Sequence, residues 1–196
     1  MGALGLVLGS AAVDVPISVE APDVVLVRRH GEPHVLPHLI DHGANLRRLA
    51  DAGCDRVLGI SSVGGLKPAL GPGSLVCPDD FIALDAVPVT TRLDVGAHRV
   101  PAFDGPWRHD VVRAFADAGW EVQDGGVYWQ ATGPRLETPA EVRFAAAHAD
   151  VIGMTVASEC VVAGELGLRY AAICAVDNLA NGVAGTELSL EEIEAH

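Results

Sequence analysis

The sequence predicts a three-layer α/β/α domain built around a twisted, mostly parallel, mixed central sheet. Short apolar runs that suit buried strands alternate with segments of helical spacing, and polar residues collect where the strands end. The composition agrees, since 49% of the residues are hydrophobic and only 5% are aromatic. With 196 residues the chain has the length of one domain, which we expect to span residues 1–196.

The first two predicted strands are the apolar runs 4–8 and 24–27. The first run ends in a Gly9-Ser10 turn. The second stops at the polar string 28–32, Arg-Arg-His-Gly-Glu. Because α/β proteins place functional groups where core strands give way to loops, we expect this string to lie at a functional edge of the sheet.

Residues 42–52 have helical spacing, and Gly53 then ends the predicted helix. The run 56–60 predicts the next strand. It leads into a small, glycine-rich loop at 61–65, Ser-Ser-Val-Gly-Gly. Hydroxyls and flexible glycine backbone at a strand end are what a small oxyanion needs.

The middle of the chain predicts a turn, an apolar stretch, a loop and a helix. Gly71-Pro72-Gly73 is the turn, and residues 75–77 open the apolar stretch. Residues 86–106 contain several prolines and glycines without a clear period, which predicts a loop or lid. Residues 107–119 then read as a helix that ends at Gly119.

The C-terminal part predicts three more strands, at 126–131, 151–154 and 171–176. Thr138-Pro139-Ala140-Glu141 carries a Thr cap, a Pro at the first helical position and a Glu at the third, so it opens a helix. A further helix over 157–166 ends at Gly167. The tail from Ser189 has the pattern of a capped, acidic helix start.

The formal net charge of −13 excludes some function classes. An acidic chain is a poor candidate for binding DNA or RNA, whose phosphate backbones need basic patches, so we expect no nucleic-acid partner. A small anionic substrate stays compatible if a local pocket supplies Arg, His and backbone N–H groups.

The cysteines and the N-terminus predict a cytoplasmic protein. Cys54, Cys77, Cys160 and Cys174 show no C-x-x-C spacing and lie in or beside apolar segments, which is typical of buried, reduced thiols. The apolar N-terminus lacks the positive region of a signal peptide, and it is too short to span a membrane. We expect no membrane partner.

Two features could carry chemistry, and each also has a plain structural interpretation. The Arg29-His30 pair can bind an oxyanion or be a solvated loop. Glu137, at a turn that begins a helix, can complement the helix dipole or accept N–H groups from a heterocycle. The residue types alone leave both questions open.

Three segments resemble the family of trimeric purine nucleoside and methylthioadenosine (methylthioinosine) phosphorylases. They are RHGEPHVLPHLIDHGANLRRLADAGCDRVLGISSVGGL at 29–66, GVYWQATGPRLETPAEVR at 126–143 and ADVIGMTVASECVVAGELGLRYAAI at 149–173. Their order and spacing also agree, and the resemblance runs from about residue 24 to 183. It implies a nucleoside phosphorylase-like fold.

The resemblance also implies a set of site residues. Those implied for phosphate binding are Ser10, Arg29, His30, Ser61, Ser62 and Thr155. Those implied for contact with the nucleoside, with Met154 lining the ribose, are His34, Val63, Gly64, Leu136, Gly153 and Met154. The base would be held by Glu137 and Asn178, which we expect to be the catalytic pair.

The base-site residues favour a 6-oxopurine nucleoside: inosine, guanosine or methylthioinosine. A 6-oxopurine presents N1–H as a donor and O6 as an acceptor, which a carboxylate and an amide can serve. Family members that prefer 6-aminopurines tend to carry Asp where this chain has Asn178, and a further Asp where it has Ala180. The implied reaction is phosphate-dependent cleavage of the N-glycosidic bond, giving free base and ribose 1-phosphate, with inorganic phosphate as co-substrate. It needs no metal or organic cofactor.

The chain departs from the family pattern at several points. The glycine loop reads Gly9-Ser10-Ala11 and lies unusually close to the Arg-His-Gly segment, and Ser158 replaces the Pro of the Gly-Met-[Ser/Thr]-x-x-Pro-Glu signature. Leu136 stands where many members have an aromatic. We expect the C-terminal helical part to be short or absent, since family members continue beyond the point that matches His196.

Three alternatives remain open on the sequence. The first is a methylthioadenosine phosphorylase. The second is a nucleoside hydrolase, against which Arg29 and His30 argue because water needs no anion cradle. The third is a catalytically inactive nucleoside-binding relative, since a fold alone does not guarantee function. The resemblance further implies a homotrimer or hexamer in which a neighbour contributes to the active site.

Overall fold

The computed structural model describes residues 2–9, 21–84 and 89–183. The predicted Gly9-Ser10 turn and the helix start at Ser189 therefore lie partly or wholly outside the described residues. The strands are β1 (Ala3–Leu8), β2 (Val24–Arg28), β3 (Cys54–Gly65), β4 (Leu75–Cys77), β5 (Asp80–Ile82), β6 (Gln123–Asp124), β7 (Val127–Gln130), β8 (Val151–Gly153) and β9 (Arg169–Leu179). The helices are α1 (His42–Asp51), α2 (Gly105–Asp117), α3 (Pro139–Ala146) and α4 (Val156–Glu165).

The sheet is mixed and mostly parallel, as predicted. Its main path runs β5-β7-β8-β3-β9-β4-β6, with β1 placed between β2 and β3. Only two pairings of the described strands are antiparallel, namely β8 with the end of β3 and β4 with β9. The long strand β3 pairs with β1 along its first half and with β8 at its end, so the sheet divides there into two branches.

Alternating side chains of β9 show the three layers. Tyr170, Ala172 and Cys174 belong to a core that includes residues of α1 and α4. Ala171 and Ile173 face the opposite way, into a core with α2. Because successive side chains of a strand point to opposite faces, this division places helices on both sides of the sheet.

Local signals account for the helix starts. Asp41 caps α1 by accepting the N–H of Ala44 at 2.7 Å. The capping box predicted for α3 is confirmed: the Thr138 hydroxyl accepts the Glu141 N–H at 3.3 Å, and the Glu141 carboxylate accepts the Thr138 N–H at 2.8 Å. The loop prediction for 86–106 fails at its end, where α2 begins at Gly105.

Candidate active site

The strands β1 and β2 end side by side, next to Ile60 in the middle of β3. The N–H of Gly9 donates to the Ile60 carbonyl at 3.0 Å, and the N–H of Arg29 donates to the Leu8 carbonyl at 2.9 Å. The Arg29-His30 loop therefore lies next to the point where β3 reaches Ser61. Ser10, predicted to bind phosphate, lies outside the described residues.

Arg29 is fully buried and forms an ion pair with Glu159. Its Nε and Nη2 donate to the two carboxylate oxygens at 2.5 and 3.1 Å, and Nη1 donates to the Ile60 carbonyl at 2.9 Å. Burial by itself would lower the pKa of the guanidinium, but the Glu159 carboxylate raises that pKa above its ordinary value. Of the two interpretations of Arg29, oxyanion binding or a solvated loop, the second is excluded, because the side chain is buried.

His30 and His34 stack on one another, with ring centroids 4.3 Å apart and planes inclined by 6°. The Nδ1 of His30 contacts the Val35 carbonyl at 2.8 Å. Burial lowers the pKa of His30 below its ordinary value, so the ring is neutral at pH 7. A neutral imidazole with Nδ1–H bound to a carbonyl presents Nε2 as an acceptor, which suits a protonated phosphate oxygen.

Two hydroxyls in the second half of β3, those of Ser61 and Ser62, have different partners. Ser61 is buried and its hydroxyl lies 3.4 Å from the Ser62 carbonyl. The Ser62 hydroxyl donates to the Asp177 carboxylate at the end of β9. A carboxylate here places negative charge beside a residue predicted to bind phosphate, so Ser62 has to exchange partners if it binds the anion.

Thr155 is buried at the start of α4. The buried Tyr128 hydroxyl accepts the N–H of Thr155 at 3.1 Å and that of Val156 at 3.4 Å. One turn on, the Ser158 N–H donates to the Gln130 side-chain carbonyl at 3.0 Å, and the Gln130 amide donates back to the Ser158 hydroxyl at 2.6 Å. Side chains of β7 therefore hold the first turn of α4.

The residues predicted for base recognition lie on neighbouring segments. Asn178 pairs in register with Gly64 on β3, one residue after Val63. The Glu137 backbone carbonyl accepts a hydrogen bond from the Asn181 side chain at 3.2 Å. The loop that carries Glu137 is thereby fastened to the end of the strand that carries Asn178.

A groove of about 480 Å³ opens beside Glu137. The residues that line it are Leu84, Trp129, Ala131, Thr132, Gly133, Arg135, Glu137, Ala140, Glu141, Phe144 and Ile152. Leu136, which the resemblance places at the base, is 44% exposed and is not among these lining residues.

Met154 lies between the base-side loop and a second, smaller cavity. A Cβ on Gly133 would lie 2.6 Å from the Met154 sulfur, so the loop packs directly on this side chain. A Cβ on Gly153 would lie 2.5 Å from the Tyr128 hydroxyl oxygen. The cavity, of about 120 Å³, is bordered by Met154, His42 and Ser158 among others.

The described part of the chain holds no group of three His, Cys, Asp or Glu residues arranged to bind a metal. All four cysteines are buried, as predicted, and none is bonded to another in the structure. Burial raises the pKa of Cys77 to about 11 and that of Cys160 to about 12, which keeps both as thiols. No helix within 2–9, 21–84 and 89–183 is long and apolar enough to cross a membrane.

Comparison with known proteins identifies the family. A model of the phosphorylase superfamily matches residues 18–196. The chain belongs to this superfamily. An Archaeoglobus fulgidus protein named probable 6-oxopurine nucleoside phosphorylase is 40% identical over 94% of this chain and 76% of the relative. A Xylella fastidiosa protein named probable S-methyl-5′-thioinosine phosphorylase is 38% identical over 87% of this chain and 76% of the relative.

Solved structures agree on the fold. The Schistosoma mansoni methylthioadenosine phosphorylase in complex with adenine superposes on this phosphorylase-superfamily chain with a TM-score of 0.79, at 20% identity, covering 98% of this chain and 84% of the other. The apo form of that protein gives a TM-score of 0.77. At this identity the likeness shows the fold alone, and it confirms the predicted nucleoside phosphorylase-like architecture.

Sequence reasoning missed several residues that organise the site. Glu159, Asp177 and Asn181 each contact a predicted site residue, and Tyr128 and Gln130 hold the start of α4. Glu159 carried a visible signal, because it is the one charged residue in the first two turns of the apolar helix α4.

Proposed function

We propose that this chain is a purine nucleoside phosphorylase acting on 6-oxopurine nucleosides: inosine, guanosine or methylthioinosine. The observation that carries the proposal is the pairing of Asn178 with Gly64 at the strand end, beside the fastened loop of Glu137. Relatives at 38–40% identity bear names of 6-oxopurine and methylthioinosine phosphorylases, which supports the same substrate class.

In the proposed reaction, a phosphate oxygen attacks the anomeric carbon as the bond from that carbon to the purine N9 breaks. The products are the free base and ribose 1-phosphate, or 5-methylthioribose 1-phosphate when the substrate is methylthioinosine. The proton that hydrogen phosphate gives up as the new C–O bond forms ends on a ring nitrogen of the departing base. The Glu137 carboxylate accepts the base N1–H, and the Asn178 amide hydrogen-bonds the base as negative charge develops on it. Such a preorganised contact accelerates reaction because it is stronger in the transition state than in the ground state.

Phosphate would be held where β1 and β2 end, beside Ser61 of β3. Arg29 is placed there by its ion pair, His30 offers a neutral ring, and Thr155 lies at the N-terminal end of α4. The partial positive charge of a helix N-terminus adds to the attraction for an anion. Phosphate is the only co-substrate of the proposed reaction, with no metal or organic cofactor.

We further propose a homotrimer or hexamer in the cytoplasm. Leu84 and Phe144, at the rim of the 480 Å³ groove, are 73% and 56% exposed, as apolar residues at a subunit contact would be in a single chain. Light scattering coupled to size-exclusion chromatography measures the oligomeric state, and a monomeric mass contradicts this part of the proposal.

The test of the activity is base release from inosine, guanosine, methylthioinosine and methylthioadenosine, each with and without phosphate. Phosphate-dependent release from the 6-oxopurine nucleosides is expected. Preference for methylthioadenosine makes the chain an aminopurine phosphorylase, and release without phosphate makes it a hydrolase. No turnover by folded protein favours the inactive, nucleoside-binding alternative.

A variant tests the role of the amide. Asn178→Ala is expected to lower kcat by a factor of about 10²–10³, the usual effect of removing one preorganised donor. The control is Gln123→Ala, an exposed residue on β6 at the far edge of the sheet, which should leave kcat unchanged. Equal effects of the two variants would refute the assignment of Asn178.

A further inference from the structure

Arg29 uses three of its five N–H groups within the protein. Two go to the carboxylate of Glu159 and one to the Ile60 carbonyl. The two remaining N–H groups, one on Nη1 and one on Nη2, have no protein acceptor among the described residues. Three hydrogen bonds thus fix the guanidinium, and two of its N–H groups remain available to a ligand.

The Nη1 side of the guanidinium packs against the end of β1. A Cβ placed on Gly9 would overlap Nη1 of Arg29 and lie 3.4 Å from its Cζ. Because Gly9 has no side chain, the guanidinium can occupy this space. It lies where the predicted phosphate-binding segments, those of Arg29-His30 and Ser61, come together. An anion bound beside Gly9 would therefore lie next to Nη1, which carries one of the two unused N–H groups.

Glu159 is itself held in place. It is 0% exposed, and its Oε2 also accepts the Tyr170 hydroxyl at 2.6 Å. Gly59 on β3 leaves room for this contact, since a Cβ there would lie 3.0 Å from that carboxylate oxygen. The carboxylate has a fixed position and offers Arg29 two acceptors in a bidentate arrangement.

Stability alone is a weak reason for this arrangement. Taking two charges out of water costs several kcal/mol per ion, and apolar replacements of buried ion pairs are often as stable or more so. A bidentate ion pair does, however, fix the plane and direction of a guanidinium. A fixed guanidinium is useful where its remaining donors must meet a ligand without reorganisation.

We propose that Glu159 is a positioning residue for phosphate: it orients Arg29 so that the free edge of the guanidinium meets the anion beside Gly9. The inference rests on the proposed function and deepens it. Glu159 does not touch phosphate. Its effect is transmitted through Arg29, so it should appear in phosphate affinity and not in nucleoside affinity.

Two substitutions separate orientation from charge. Glu159→Asp keeps the negative charge but withdraws the carboxylate by one methylene, which breaks the bidentate fit. Glu159→Gln keeps the shape but sets an N–H₂ group against an Arg29 donor. Orientation by Glu159 predicts that each variant raises both the Kd and the KM for phosphate by at least about tenfold, while the nucleoside KM stays within about threefold.

The control for a general loss of packing is Val162→Ala, a fully buried residue on the same helix. It should lower the melting temperature and leave the Kd for phosphate unchanged. Phosphate binding is measured directly by equilibrium dialysis with radiolabelled inorganic phosphate, and the KM values come from base release. The dialysis works even if the protein turns over no nucleoside, so failure of the proposed activity is distinguishable from failure of this inference.

Three results overturn the inference. Tighter phosphate binding by Glu159→Gln would mean that Glu159 only masks the charge of Arg29. Lower melting temperatures with an unchanged phosphate Kd would make the ion pair purely structural. Equal increases in the phosphate and nucleoside KM values would show a distortion of the whole site. Should both Glu159 variants fail to fold, Tyr170→Phe, which removes one hydrogen bond from the carboxylate, must raise the phosphate Kd more than Val162→Ala does.

Discussion

Replacing Gly59 by Ala should destabilise the protein by about 3 kcal/mol, within a range of roughly 2–5 kcal/mol. Gly59 lies on β3 beneath the Arg29–Glu159 ion pair. A Cβ at this position would overlap the Tyr170 hydroxyl oxygen and lie 3.2 Å from its Cζ and 3.0 Å from Glu159 Oε2. Tyr170 is 1% exposed and Glu159 is 0% exposed, so neither side chain has solvent to move into.

Two costs make up this magnitude. Inserting a methyl group into a packed interior costs about 1–3 kcal/mol. Moving the Tyr170 hydroxyl away from the carboxylate removes a hydrogen bond to a charged group, which is worth about 1.5–3 kcal/mol. The two are coupled through the same oxygen atom, so their sum is an upper value.

The assay is equilibrium unfolding in urea with an unchanged m-value, supported by calorimetry. A loss of about 3 kcal/mol lowers the melting temperature by roughly 6–12 °C in a chain of this size. The control is Gly164→Ala on α4, where a Cβ would meet its nearest atom, Arg99 Cζ, at an ordinary 3.7 Å. This control should be neutral or stabilising by up to about 1 kcal/mol, since Ala favours a helix over Gly.

The reasoning also predicts how the Gly59 variant combines with a second change. Tyr170→Phe removes the oxygen that the new methyl group meets, so Gly59→Ala should cost less in that background than in the wild type. The argument is refuted if the free energy of unfolding of Gly59→Ala lies within about 0.5 kcal/mol of the wild-type value, because changes of that size are typical of substitutions at exposed positions.

Two further predictions concern the start of α4 and the response to acid. Gln130→Met should lower the free energy of unfolding by about 1–3 kcal/mol, because it leaves the buried Ser158 N–H without an acceptor. Adding Ser158→Pro should restore most of this loss, since Pro has no N–H and the first turn of a helix tolerates it. Urea unfolding of the single and double variants measures the free energies, and purely additive effects in the double variant contradict the prediction. Burial lowers the pKa of His42, whose Nδ1 has no hydrogen-bond partner in the described structure. The stability that the neutral ring contributes is therefore fully present above about pH 6.5 and is lost as the pH falls toward the folded-state pKa, at a slope of at most about 1.4 kcal/mol per pH unit. His42→Phe should flatten the pH dependence of the unfolding free energy between pH 7 and 5, whereas His109→Phe, at an exposed position, should not, and identical profiles for the two variants refute the assignment to His42.

Much of the fold was determined by local sequence. The apolar runs at 4–8, 24–27 and 75–77 became β1, β2 and β4 almost unchanged, because a short continuous run of Val, Leu and similar residues suits a buried strand. Glycines ended helices where expected, at Gly53 and Gly119, both of which have positive φ. These are signals that neighbouring residues carry on their own.

The exact extent of the strands depended on their partners. The predicted strand 56–60 extends to Gly65 as part of β3, because β9 continues beside it. The short β5 and β6 were not predicted, since two or three residues carry no usable period and are held by β7 and β4. The antiparallel insertion of β8 at the end of β3 likewise has no local signature.

The sequence by itself determined the fold class, the family, and the residue types that gather at the strand ends, because these depend on local periodicity and on motifs of contiguous residues. The tertiary structure decided which side chains those residues meet. Arg29 and Glu159 are 130 positions apart, and Ser62 and Asp177 are 115 apart. The contact of Ser62 with Asp177 follows from the register of β3 with β9, and that of Arg29 with Glu159 follows from the packing of α4 against the sheet. Both are global properties that no short stretch of sequence encodes.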